Sequence, residues 1–209
     1  MLDIGWGAVF GVVLPIGLLA QLRCPERRIA GLQQSALVVV ALAAAGVAGG
    51  AWRYVVLAAV LGVAIGGLVA LHPARGELLR REGRPSPLLF GLALAAAAPC
   101  VVYVRRMASA QRRDLPPFDA VSNGMHHWTV LGALALSVVL LVFLAAIGTP
   151  GWRIPAWSAA LGAGLWAVSC LRCPESAGSE GRAWALAVLA WAAAVVVSAR
   201  YRSRAGAGP

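Results

Sequence analysis

The chain has 209 residues, 60% of them hydrophobic, with a mean hydropathy of +0.79 and a formal net charge of +10. Such hydropathy excludes a soluble globular domain. The positive charge comes wholly from arginine and is spread through short segments between apolar stretches, so it excludes a nucleic-acid-binding face and points to lipid surroundings.

A helix needs about 20 apolar residues to cross the hydrocarbon of a bilayer. Seven stretches free of Asp, Glu, Lys, Arg and His meet that need, in chain order Ile4–Leu22, Ser35–Trp52, Tyr54–Leu71, Leu88–Val104, Trp128–Ile147, Ala156–Leu171 and Ala183–Ala199. They predict a single-domain, all-α polytopic integral membrane protein, a bundle of seven transmembrane helices over residues 1–209. The bilayer of a bacterial plasma membrane is the expected solvent. Only Met1-Leu2-Asp3 precedes the first stretch and no small-x-small site follows it, so it is expected to be retained and not removed as a signal.

Pro15 in the first stretch and Pro99 in the fourth should bend their helices, each freeing a carbonyl that must find another donor. Gly7-x-x-x-Gly11 and Gly62-x-x-x-Gly66 place pairs of glycines on one helix face and read as close-packing positions. The second and third stretches meet across Gly49-Gly50-Ala51-Trp52-Arg53, with almost no loop. Trp6, Trp52, Trp128, Trp152 and Trp157 fall near the ends of stretches, as in an interfacial belt, whereas Trp166, Trp184 and Trp191 lie deeper.

Seven crossings put the termini on opposite faces. With the N-terminus outside, eleven arginines fall on the inner face and seven on the outer, so the positive-inside rule gives N-out, C-in. The dissenting segment is Arg105–His127, which carries four arginines on the outer side. Arginines beside the stretches also suit contact with anionic lipid headgroups. Leu22-Arg23-Cys24-Pro25-Glu26 after the first stretch is echoed by Leu171-Arg172-Cys173-Pro174-Glu175 at the end of the sixth, on the opposite face. That is the geometry of an inverted repeat, although arginine at a boundary and proline after a helix end also recur independently.

The reactive side chains divide by face. His72 and Cys24 fall on the inner side, and His126 and His127 on the outer side. A bis-histidine haem, a retinal Schiff base and a three-histidine zinc hydrolase each lack the ligands they need, and no cofactor is expected. Intramembrane acids and bases, usual in ion-coupled transport, are also missing from the apolar stretches. On the outer side Cys100 and the C-x-x-C pair Cys170 and Cys173 are the candidates for thiol–disulfide chemistry, with Arg172 favouring a thiolate. The competing reading makes each cysteine a small hydrophobe. His126, His127 and Asp119 are the candidates for a metal, but adjacent helical side chains point about 100° apart, which opposes shared ligation. Asp119, Ser122 or Asn123 is expected to cap the fifth helix, within a loop from Arg112 to His127 packed on the bundle.

The run Gly151-Trp152-Arg153-Ile154-Pro155-Ala156-Trp157-Ser158, with Asn123-x-x-His126 upstream and Gly181-Arg182-Ala183-Trp184 downstream, resembles a group of uncharacterised actinobacterial multi-pass membrane proteins. The resemblance implies a bundle of this size and no particular activity. Two functional readings follow from the residues. The first is a non-enzymatic membrane protein, either a subunit of a homo- or hetero-oligomer or a carrier of a neutral or lipidic ligand. The second is a membrane thiol–disulfide oxidoreductase using Cys170 and Cys173.

Overall fold

The structure, a computed structural model, describes residues 3–82, 84–115 and 124–205, the last three of these as backbone only. Among the described residues every regular element is helical, and seven helices are long and apolar enough to cross a membrane. They are α1 (Asp3–Leu22), α2 (Ile29–Gly49), α3 (Trp52–Leu71), α4 (Pro87–Arg112), α5 (His127–Ile147), α6 (Arg153–Arg172) and α7 (Arg182–Ala205).

The apolar stretches locate the helices but not their ends. α4 continues eight residues past Val104, through Arg105 and Arg106. Arginine ends an apolar run yet is a good helix former, so charge and helix termination part company there. α2 begins at Ile29, not Ser35, and brings Gln33 and Gln34 into the helix. It stops before Gly50, whose φ of 73° supplies a left-handed cap donating to the carbonyls of Gly46 and Val47. Trp52 therefore opens α3 instead of closing α2.

Contacts sort the connections onto two ends. At the N-terminal end, Trp6 Nε1 and Tyr54 OH both donate to the carbonyl of Met125, at 3.1 and 2.7 Å, and Arg112 donates to the carbonyl of Ala48. At the C-terminal end, Ala30 N–H donates to Pro150 O at 2.9 Å and Ser86 N–H to Ala146 O at 2.9 Å. Arg202 locks this end. It donates to the carbonyls of Ala145 at 2.7 Å and Arg84 at 2.8 Å, and its guanidinium lies 4.4 Å from the Trp152 ring centroid. Arg202 thus covers bare carbonyls at the C-terminus of α5 while its charge complements the helix dipole.

Helices α2 and α5 form the buried centre, with α6 beside them, whereas α3, α4 and α7 are peripheral and largely exposed. The outer faces are apolar; Val56, Val60 and Val63 on α3 are all more than 60% exposed. Of the glycine pairs singled out by spacing, only Gly62 meets another helix, where a Cβ would touch Val39 at 3.7 Å. A Cβ at Gly7, Gly11 or Gly66 would meet nothing within 4 Å. The close approach falls at Gly17 and Gly31, where a Cβ on Gly31 would come within 2.7 Å of the Gly17 carbonyl. There α1 and α2 touch backbone to backbone.

Proline in α1 acts through a local change of pitch. Val9–Val13 forms a π turn just before Pro15, with Leu14 N–H bonded to Val9 O. Such a turn accommodates an extra residue in the helix. α2 adds side-chain bonds at this point: Gln34 Nε2 donates to Val13 O at 2.5 Å and to Ser158 Oγ at 3.0 Å, and Ser35 Oγ donates to Leu14 O at 3.2 Å. Gln34, Ser35 and Ser158 are each at most 1% exposed.

The two pentapeptide echoes end their helices differently. Cys24 has φ 50° and ψ 61°, in the left-handed region, whereas Cys173 has φ −131° and ψ 65°. The α1–α2 and α6–α7 hairpins also differ in place, because α2 is buried in the bundle and α7 lies on its edge.

Candidate functional site

α4 and α6 do not lie against each other along their length; both pack on α5, and α7 closes over α6 and the edge of α4. The space left between them is a cavity of about 260 Å³. α4 contributes Ala95, Ala96, Pro99, Cys100 and Tyr103; α5 contributes Leu131, Leu134, Ala135 and Val138; α6 contributes Gly162, Ala163 and Trp166; α7 contributes Trp184, Ala187 and Trp191. The wall sets small residues beside the large rings of Trp166, Trp184 and Trp191, and the alanines do not fill the space next to those rings. Pro99 lies within the continuous helix α4 on this wall and, having no N–H, cannot donate to the Ala95 carbonyl.

From Ala95 to Tyr103 the wall runs about 12 Å along α4 at the helical rise per residue. It occupies the half of the bundle nearer the N-terminal end. The polar side-chain groups on that wall are largely engaged with the protein. Trp166 Nε1 donates to Tyr103 OH at 3.2 Å, Tyr103 OH donates to the carbonyl of Gly178 at 2.9 Å, and Trp191 Nε1 donates to Leu92 O at 2.9 Å. The Tyr103 and Trp166 rings meet edge to face, with centroids 5.6 Å apart. What the interior of the cavity offers a guest is apolar contact.

Gly178 belongs to the α6–α7 connection, which meets α4 at this end through the Tyr103 hydroxyl. The same connection carries Glu180, which forms an ion pair with Arg106, one turn beyond Tyr103 on α4. Only one carboxylate oxygen is engaged; Glu180 Oε1 is buried without a hydrogen-bond partner. Arg105 of α4, Arg172 at the end of α6 and Arg182 at the start of α7 are exposed.

The sequence-predicted cysteines do not form one centre. Cys100 is partly buried on the cavity wall, Cys170 is fully buried, Cys173 is exposed, and all three are free thiols. One helical turn separates Cys170 from Cys173, and that turn carries the chain from the packed interior to the surface.

The two histidines also part. Thr129 Oγ1 donates to Gln111 Oε1 at 3.3 Å, which fixes the amide so that Gln111 Nε2 donates to His126 Nδ1 at 2.9 Å. The His126 ring packs edge-on to Tyr54, centroids 5.6 Å apart. His127 instead is buried, with Nδ1 lying 3.7 Å from Asp3 Oδ1. Asp119, like Ser122, Asn123 and most of the loop that was expected to pack on the bundle, lies outside the described residues. No group of three or more His, Cys, Asp and Glu side chains suited to a metal occurs among the described residues.

Sequence reasoning marked Trp166 and Trp191 as deep but missed Tyr103. The signal for Tyr103 was available: a tyrosine inside an apolar stretch must find a partner for its hydroxyl. Gln34 was missed because α2 was started one residue after it. No family profile matches the chain, and comparisons with curated proteins and with solved structures give no significant match.

Proposed function

We propose that this protein is a non-enzymatic integral membrane protein of a bacterial plasma membrane that holds the apolar body of a lipid-like molecule between α4, α5, α6 and α7, as a binder or carrier. The observation that carries this reading is the cavity itself: about 260 Å³, walled by alanine, leucine, valine and tryptophan, with the hydroxyl of Tyr103 and the indoles of Trp166 and Trp191 already bonded within the protein. For comparison, a dry apolar cavity of about 150 Å³ accepts benzene, and sites for whole drug-sized molecules run from about 300 Å³ upward. The volume therefore suits a chain or a ring system of a larger amphiphile.

The apolar exterior of α3, α4 and α7 supports the bilayer as solvent. The excess of arginine at the C-terminal end supports an N-out, C-in orientation. The thiol–disulfide reading draws no support from the geometry, because a fully buried Cys170 offers no approach to a partner thiol.

The test is mass spectrometry of lipids retained after purification in a mild detergent. About one lipid per chain should survive in the wild type and be lost from Ala163→Phe, whose ring would occupy the cavity. Equal retention in both proteins would overturn the reading.

A further inference from the structure

The apolar wall accounts for the body of a guest but not for its polar end. We infer that the cavity takes a chain of an anionic phospholipid, with its phosphate held at the N-terminal end of the bundle by Arg106 of α4 and Arg182 of α7. This inference rests on the cavity reading above and adds the headgroup to it.

Three observations bring the charges to one place. Tyr103 and Trp184 are the wall residues nearest the N-terminal end on α4 and α7. Arg106 lies one turn beyond Tyr103, and Arg182 opens α7 two residues before Trp184. Arg106 reaches Glu180, itself two residues before Arg182, so both arginines belong to the same end of the cavity. A chain seated against Trp184 and Tyr103 thus carries its head out between two cations.

The sign of the rim favours an anion. This end of the α4, α6 and α7 group carries four arginines, Arg105, Arg106, Arg172 and Arg182, against two carboxylates, Glu175 and Glu180. Guanidinium groups are weakly hydrated forks that pair with phosphate oxygens at two points, whereas a carboxylate already holding one cation competes only singly. The Arg106–Glu180 pair leaves Arg106 58% exposed, so a phosphate approaching from the bilayer surface has access to it. Glu180 then serves to position Arg106. Phosphatidylglycerol, which carries a net negative charge and no headgroup cation to repel the arginines, is a phospholipid of the class this rim suits.

The experiment is titration of delipidated protein in detergent with phosphatidylglycerol, phosphatidylcholine and diacylglycerol of identical chains, counting bound molecules by native mass spectrometry. The wild type should bind one phosphatidylglycerol about tenfold more tightly than either of the others, a difference of about 1.4 kcal/mol. The double variant Arg106→Gln, Arg182→Gln should bind all three alike, at the diacylglycerol level. Ala163→Phe, or Ala135→Phe if that variant fails to fold, should abolish tight binding of all three.

Equal binding of the three lipids by the wild type, lost in Ala163→Phe, would overturn the phosphate inference and leave the cavity reading standing. Phosphatidylglycerol preference that survives the double arginine variant would overturn it too. Binding of every lipid undiminished in both cavity-filled variants would overturn the inference together with the reading beneath it.

Discussion

The two sides of α6 answer the same physical problem in opposite ways. Toward α1 and α2 the helix presents Ser158, which is 1% exposed and hydrogen-bonded to Gln34, at a crossing where glycines let backbones touch. Toward α4 and α7 it presents Ala163 and Trp166 across a cavity. Both sides are rich in small residues. Small residues bring helices together only where the partner is also small and supplies polar groups that close the remaining bonds; where large rings such as Trp166 and Trp191 hold the helices apart, the same alanines leave a space. The first arrangement fixes the bundle and the second leaves room for a guest.

The sharpest way to break that contrast is at the α1–α2 crossing. Gly31→Val would drive a branched side chain into the Gly17 carbonyl, 2.7 Å from the Cβ position, with the Ala20 Cβ at 3.2 Å. Backbone cannot move aside as a side chain can, so a loss of about 3 kcal/mol is expected, the upper end of usual overpacking costs. Thermal unfolding in detergent, followed by circular dichroism, would register it as a large drop in midpoint. The matched control is Gly66→Val on the exposed face of α3, where nothing lies within 4 Å of the Cβ and the midpoint should not move. If the two variants behave alike, the packed crossing is not where the bundle's stability resides.

This pair of variants also shows what the sequence made legible. Seven apolar runs announce seven helices because length and hydropathy are properties of each segment alone. Which glycine is crowded depends on which helices cross and where, and spacing within one helix carries no such information; Gly62 and Gly66 looked right and Gly17 and Gly31 did the packing. Helix ends were hidden for a related reason. Arg105, Gln34 and Arg153 interrupt hydropathy without interrupting the backbone ladder. That Pro15 would disturb its helix was legible, but the form of the disturbance, a π turn beside Gln34 and Ser35 of the next helix, was not. The cavity was least legible of all, since it is defined by atoms that are missing between four helices. Cys100 was noticed for its thiol, yet its place on the wall shared with Pro99 and Trp166 makes it a partly buried apolar surface.

A smaller effect isolates the polar half of the comparison. Gln34→Leu keeps most of the side-chain volume and removes the amide, leaving the Val13 carbonyl without its 2.5 Å donor and Ser158 Oγ without its 3.0 Å partner. Unpaired buried acceptors cost about 1–3 kcal/mol each, partly offset here by removal of the unpartnered Gln34 Oε1. A net loss of about 2 kcal/mol should appear as a lower midpoint with the same helix content. No loss would mean that the π turn satisfies its own carbonyls and that the α1–α2–α6 contact is held by packing alone.

The smallest expected change tests the hollow half, and a near-zero result is its signature. Ala159 and Ala163 lie one turn apart on α6, 0% and 5% exposed, and hydropathy treats them alike. Ala163 lines the cavity and Ala159 does not. Ala159→Leu must push three extra carbons into filled space and should cost about 1–3 kcal/mol. Ala163→Leu places the same atoms where 260 Å³ stands open, and the new contacts offset the loss of side-chain freedom, so its midpoint should stay within about 0.5 kcal/mol of wild type. Retained lipid gives the second reading of the same pair. It should fall in Ala163→Leu, where stability is unchanged, and stay constant in Ala159→Leu, where stability drops. Stability and occupancy would then separate cleanly between two alanines one turn apart. A large loss of stability in Ala163→Leu would show that the space closes on itself in the protein as it exists, and the two sides of α6 would be alike after all.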